Sequence, residues 1–244
     1  MISVIIPTLN EATRLPALLS RLGQEPVDHE VIVVDGGSDD ATPSIALDAG
    51  VTLLQSDPGR GQQLARGAQV ANGNVLLFLH ADSQFPADGL VAIEQTLARD
   101  ATCVGGNFRV IFDGDTSFAE WLTGFYAWFR ARGLYYGDSG IFVRSRVYQS
   151  IGGIRPIDLM EDYDFSRRLE RAGKTCCLDE PALVTSSRRF EGRSPTAIVA
   201  GWLLLHGLFH LGISPRLLAR YYAWQCRRRR QRTPITPQHG VEKA

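Results

Sequence analysis

Four times within the first hundred residues, a short aliphatic run gives way to a polar or glycine-bearing turn and then to an amphipathic segment. The runs are SVIIP (3–7), EVIVV (30–34), VTLLQ (51–55) and VLLFL (75–79). The segments that follow are ATRLPALLSRLG, ATPSIALDAG, GQQLARGAQVA and GLVAIEQTLA. A strand that is apolar throughout must be covered on both faces. Strict strand–helix alternation supplies that cover by laying a mainly parallel sheet between two layers of helices. The spacing predicts a Rossmann-like α/β domain. The first helix ends at Gly23, and Asn10 is in position to cap its start.

In such sheets ligands bind beyond the C-terminal ends of the strands. Those ends are Pro7–Thr8, Asp35–Gly36–Gly37–Ser38, Asp57–Pro58–Gly59–Arg60 and His80–Ala81–Asp82. Polar chemistry is collected on one edge. Asp35 has two readings: a turn that caps the next helix, or a carboxylate that accepts hydrogen bonds from a nucleoside while the glycines let it approach. Asp82, one residue past His80, is either the end of a strand reaching water or a ligand for Mg²⁺ or Mn²⁺. Those ions take one or two protein carboxylates and fill the remaining positions with phosphate and water. The first turn, PTLNEA, has no glycine, so the dinucleotide fingerprint is absent, and no phosphate-binding P-loop motif occurs. A nicotinamide dehydrogenase and a P-loop enzyme are both disfavoured.

Beyond residue 100 the alternation loosens. CVGGNFRVIF and SGIFVRS read as strands around an aromatic-rich helix, SFAEWLTGFYAWFRARG. EDYDFSRRLERAG reads as an amphipathic helix that starts with two acids, Glu161 and Asp162. Neighbours on a helix point about 100° apart, so these two cannot share one job. Either both favour the positive helix N-terminus, or one is structural and the other a general base. The four cysteines show no C-x-x-C spacing, which predicts neither a disulfide framework nor a zinc site and fits a reducing cytoplasm. The N-terminus opens directly on a strand, with no signal-peptide pattern. Net charge is zero, so no global field attracts nucleic acid.

Taken together and in order, SVIIPTLNE, VIVVDGGSDD, GRGQQLARG, FLHADS and ED resemble the family 2 glycosyltransferases, which have the GT-A fold. The resemblance covers roughly residues 1–190. It implies a metal-dependent, inverting transferase that uses a nucleotide-diphospho-sugar donor. Pro7, Glu11 and Asp35 would then contact the base and nucleoside, with Arg60 and Arg66 near the nucleotide. His80-Ala81-Asp82 matches the family's DxD motif, with Asp82 on Mn²⁺ or Mg²⁺; His80 stands where the family usually carries aspartate. Asp162 matches the catalytic base. Tyr136 and Asp138, in YYGDSG, sit where the family forms its acceptor pocket, and Glu161 joins them as a sugar or acceptor contact. Arg188 and Arg189 would clamp the diphosphate. GRGQQLARGA, FLHAD, YGDSGIF and SSRRFEG also resemble a bacterial subfamily named for arsenosugar biosynthesis. The acceptor, small molecule or lipid, is left open.

A helical extension is expected over 191–232 and a frayed tail over 233–244. AIVAGWLLLHGLFHLGI (197–213) is almost wholly apolar, near the lower length limit for a membrane span. The following arginines suit an anionic surface, which would put the protein at the inner face of a membrane. The other reading is a helical pair packed on the catalytic domain. His206 and His210, one turn apart, are either metal ligands or plain polar contacts on one face. Two further classes stay open: a sugar nucleotidyltransferase and a non-catalytic nucleotide-binding module.

Overall fold

The computed structural model describes residues 1–113, 117–187 and 194–230, with the backbone alone for 224–230. In chain order it contains β1 (Ile2–Thr8), α1 (Leu15–Leu22), β2 (His29–Asp35), α2 (Thr42–Asp48), β3 (Thr52–Gln55), α3 (Arg60–Val70), β4 (Val75–Phe78), α4 (Gly89–Arg99), β5 (Cys103–Phe112), α5 (Ser117–Arg130), β6 (Ile141–Arg144), α6 (Ser145–Ser150), α7 (Glu161–Ala172), β7 (Lys174–Thr185), α8 (Pro195–His210) and α9 (Pro215–Arg230).

Seven strands form one sheet in the order β3-β2-β1-β4-β6-β5-β7. β1 pairs in parallel with β2 and β4, and β2 with β3. The chain therefore runs outward from β1, then returns to its other side, which opens a crevice at the C-terminal ends of β1 and β4. β6 breaks the parallel run: it lies antiparallel to both β4 and β5.

Alternation within each strand explains the two-sided core. On β1, Val4 and Ile6 pack with Leu15, Leu18 and Leu90 from α1 and α4. Ile5 points the other way, onto Leu64, Phe165 and Leu169 from α3 and α7. A third, smaller cluster joins Val110 and Phe112 of β5 to Leu122 of α5 and Ile198 of α8.

Three expectations need correction. Asn10 does not cap α1: it sits at φ 57°, and the helix begins only at Leu15 with no side-chain cap. β4 stops at Phe78, where its pairing with β6 ends, so His80 and Asp82 lie in the turn beyond it. β7 has no counterpart in the sequence reading. Its proline and acidic residues obscure the pattern, and they are tolerated because the strand lies at the sheet edge. Cys103, Cys176 and Cys177 are free thiols.

Candidate active site

The turns after β1 and β2 are locked to each other. Asn10 donates its N–H to the Ser38 hydroxyl (2.9 Å), and its side-chain oxygen accepts from the Asp39 N–H (3.0 Å). The Ala12 N–H reaches Asp40 (3.1 Å), and the Glu11 N–H reaches the Thr42 hydroxyl (2.8 Å). Asp35, 1% exposed, holds the second turn together. Its Oδ2 accepts from the N–H groups of Gly37 (3.0 Å) and Ser38 (2.9 Å), and its Oδ1 from the hydroxyls of Ser38 and Thr8. Of a carboxylate's roughly four acceptor positions the turn fills three; the Thr8 hydroxyl is a long contact at 3.4 Å, equally far from the Val34 carbonyl. From α3, the buried Gln63 donates to the carbonyls of Thr8 and Val34, 2.8 Å each, and so pins both strand ends.

Pro7, half-buried, is the penultimate residue of β1. Glu11, in the turn after β1, and Asp82, in the turn after β4, are both half-buried and near enough to repel each other. Burial, then repulsion from Asp82 and Asp40, raises the Glu11 pKa above the usual carboxylate range, against the opposing pull of Arg14. Beside Asp82 opens a cleft of about 440 Å³, lined also by Arg14, Arg21, Gln84 and Asp113. Among the described residues, no three His, Cys, Asp or Glu side chains are grouped to hold a metal ion. The donor set thus fits an ion that arrives with a diphosphate and takes one carboxylate from the protein, rather than an ion enclosed in a preformed cage.

The other corner of the site is built at the start of α7. Met160, at φ 67°, turns the chain into the helix without a side-chain cap. Glu161 is 1% exposed and ion-paired to Arg60 Nε at the start of α3. Arg60 also reaches Asp162, 3.9 Å away. The two acids differ in their surroundings, and Glu161 is a buried ion-pair partner rather than a helix cap. Covered in this way, its side chain has almost no contact with solvent. Burial raises the Glu161 pKa against the pull of Arg60. Burial would lower that of Arg60, but the two carboxylates outweigh it and push it up.

Asp162 is held from both sides. Its Oδ2 accepts from the Gly137 N–H (2.9 Å) and its Oδ1 from the Tyr163 N–H (2.7 Å). Gly137 opens a single helical turn, Gly137–Ser139, that leads into β6. A Cβ at Gly137 would lie 2.8 Å from His80 Nε2 and 3.4 Å from Asp162 Oδ2. The missing side chain is what lets the His80 turn and the Asp162 helix meet. Asp138, in the same turn, accepts from the Tyr126 hydroxyl of α5 (3.0 Å). Tyr136 points at α8: its hydroxyl lies 3.0 Å from His206 Nε2, and that of Tyr163 lies 2.9 Å from His210 Nε2. His206 Nδ1 is 2.8 Å from the Trp202 carbonyl and must donate to it, so Nε2 accepts from Tyr136. The two histidines are polar contacts that seat α8 on the site, and Trp202 stacks on Phe125 beside them.

Some expected residues are not brought together here. Arg66 lies on the exposed face of α3, where it donates to Gln69. Arg188 and Arg189 lie outside the described residues. Sequence reasoning missed Gln63, Gly137 and Tyr126. The only available signal was the glycine content of GRGQQLARG and YYGDSG, which marks close approaches without naming what approaches.

Residues 3–148 match the family model described as glycosyl transferase family 2. The chain is 34% identical over 227 residues to a PGL/p-HBAD biosynthesis glycosyltransferase of Mycobacterium tuberculosis, covering 81% of this chain and 80% of that protein. It also resembles glucosyl-3-phosphoglycerate synthase of the same organism, solved with Mn²⁺ and UDP-glucose (TM-score 0.57, 19% identity, 87% and 79% coverage). A mannosyltransferase from Pyrobaculum calidifontis, solved with GDP-Man and Mn²⁺, matches at TM-score 0.58 and 21% identity; the match covers 76% of this chain but only 56% of that one. With the switch-point sheet and its antiparallel β6, these likenesses give the GT-A fold, and the chain belongs to the family 2 glycosyltransferases.

Proposed function

We propose that the protein moves a sugar from a nucleotide-diphospho-sugar donor to an acceptor hydroxyl, with inversion at the anomeric carbon and with help from Mn²⁺ or Mg²⁺. The observation that carries this reading is the meeting at Gly137, which brings the Asp162 carboxylate beside the His80-Ala81-Asp82 turn. A base and a diphosphate site would then flank one reacting carbon. Asp82 would hold the cation together with the diphosphate oxygens. Bound there, the cation would neutralise the departing diphosphate. Asp162, its orientation fixed by two backbone N–H groups, would accept the proton of the acceptor hydroxyl as its oxygen attacks from the face opposite the leaving group. Only one catalytic carboxylate is then needed, unlike the carboxylate pairs of glycoside hydrolases. The mycobacterial and archaeal neighbours were solved with a nucleotide-sugar and Mn²⁺, which supports the same donor class here. Pro7, Glu11 and Asp35 would border the nucleoside; Tyr136 and Asp138 would border the acceptor.

Incubation with a panel of nucleotide-sugars, Mn²⁺ and candidate acceptors tests this. The expected product is free nucleoside diphosphate, and release of pyrophosphate would indicate a nucleotidyltransferase instead. Asp162→Asn keeps the shape but not the basicity, so turnover should fall on the order of a hundredfold or more, with nucleotide binding unchanged. Near-wild-type turnover by that variant would reject Asp162 as the base. Asp82→Ala should abolish the Mn²⁺-dependent stabilisation by nucleoside diphosphate and leave the fold intact.

A further inference from the structure

Net charge zero conceals a division of the chain. Residues 1–194 carry 25 acidic and 18 basic side chains, whereas residues 195–230 carry six arginines and no acid. The same segment exposes apolar surface. Of the ten large hydrophobic residues exposed among the described residues, six are Leu203, Leu204, Leu211, Ile213, Leu217 and Tyr221, all on α8, α9 or the turn between them. Leu211 is 79% exposed and Leu203 65%. Arg216, at 84%, stands beside Leu217 in the first turn of α9 and has only a peripheral contact with Asp158.

The two sides of α8 do different work. One side carries Ile198 into the third core cluster, and His206 and His210 to Tyr136 and Tyr163. The other carries Leu203, Leu204 and Leu211 outward. No described helix is long and apolar enough to cross a membrane. Exposed leucines beside the exposed Arg216 and Arg220, in a segment whose sequence holds arginines and no acid, match a surface that is apolar just below a plane and anionic at it. A protein partner complementary to six arginines would have to be strongly acidic. A second copy that met this face with its own copy of the same face would bring like charge against like.

We propose that α8, the Leu211–Ile213 turn and the first turns of α9 form a docking surface for an anionic lipid bilayer, on which the protein lies without spanning it. The docking does not depend on the transferase reading, and binding is measured without turnover, so the two can fail separately.

The test is co-sedimentation of the full chain with phosphatidylglycerol-containing vesicles and with pure phosphatidylcholine vesicles. Binding is expected on the anionic vesicles alone, and should be largely lost at about 0.5 M salt, where screening is short-ranged. Leu211→Glu/Leu217→Glu should weaken it about tenfold or more, and Arg216→Gln/Arg220→Gln by about threefold to tenfold. An unchanged melting temperature would show that each variant folds, since all four side chains point to solvent. The proposal is overturned if the wild type fails to sediment with anionic vesicles at low salt, or if the leucine variant binds like the wild type. It is equally overturned if the wild type is a dimer in solution, does not bind vesicles, and becomes monomeric in the leucine variant; the face would then be a self-interface.

Discussion

The two corners of the candidate active site are held in different ways. At the β1–β2 edge, Asp35 is satisfied by its own turn and by the adjoining strand end. At the Gly137–Asp162 corner, apart from the Tyr163 N–H on Asp162, the anchors come from far along the chain: Arg60 reaches Glu161, Gly137 reaches Asp162, and His206 of α8 holds Tyr136. The first edge is closed mostly by bonds within and between the turns of two paired strands, with Gln63 of α3 pinning the strand ends. A corner built from distant partners forms only when α3, α5, α7 and α8 are all seated. The first should therefore tolerate damage locally, and the second should transmit it.

The sharpest way to break this contrast is Arg60→Met. It leaves the buried Glu161 without its cation, while Arg60 itself is 34% exposed, so partial screening moderates the loss. The expected cost is about 2–3 kcal/mol, at or below the usual range for a broken buried pair. In a chain of this size that lowers the melting temperature by roughly 4–12 °C. Arg60→Met/Glu161→Gln should recover part of the loss. A variant that melts like the wild type would mean that the far corner is not held by this pair. Gly137→Ala comes next. Its methyl would force the His80 ring away and crowd Asp162, so turnover should fall about tenfold to a hundredfold through misplacement alone. The expected loss of stability is smaller, about 1–3 kcal/mol, as for other overpacked sites. Unchanged turnover would break the claim that Gly137 sets the distance between the two motifs.

The same contrast decides what could be read from the sequence. The first four strands and their helices were legible because each strand carries a short aliphatic run bounded by turn residues within a few positions. His80-Ala81-Asp82 and Asp162 stood out as polar residues at the ends of such segments. Asn10 was misread because its side chain is used by the neighbouring turn at Asp39 rather than by its own helix. The pairing of Arg60 with Glu161 could not be read, because nothing in residues 60 or 161 alone encodes their meeting. β7 was missed because Asp179, Glu180 and Pro181 interrupt its apolar run, which its place at the sheet edge allows. The histidines of α8 were legible as a one-face pair, but their partners Tyr136 and Tyr163 were not.

A smaller effect is expected at the local corner. Asp35→Asn replaces one acceptor oxygen with a donor that faces the N–H groups of Gly37 and Ser38, or the hydroxyls opposite. The cost should be about 1–2 kcal/mol by urea unfolding, the price of one or two lost or mismatched hydrogen bonds. Turnover with saturating donor should hardly change if the damage stays in the turn. A fall in turnover as large as that of Gly137→Ala would show that this corner transmits damage too.

The smallest effect concerns pH and the seat of α8. Burial pushes the pKa of His206 below its ordinary value of 6.5; His210 adds to this, and the Trp202 carbonyl and Asp162 oppose it. Tyr136 keeps its proton, because burial and the Asp162 and Asp138 carboxylates raise its pKa, so it remains the donor in the Tyr136–His206 bond. Neutral His206 accepts that bond at Nε2. Protonated His206 would carry hydrogens on both ring nitrogens and could not. With the folded pKa below the unfolded one, the unfolded chain binds more protons between the two values, and stability rises with pH across that window. The contribution is complete above about pH 6.5 and is lost as pH falls through the lowered folded value. His206→Gln keeps an acceptor for Tyr136 but has no proton to gain. Its melting temperature should therefore fall less steeply than that of the wild type on acidification from about pH 7 to about pH 5, because the other titrating groups largely cancel in the comparison. The two curves should converge or cross at the acid end. Parallel curves over the whole range would mean that His206 stays seated when charged, and that α8 is held by Ile198 and the stacked Trp202 without the histidine bond.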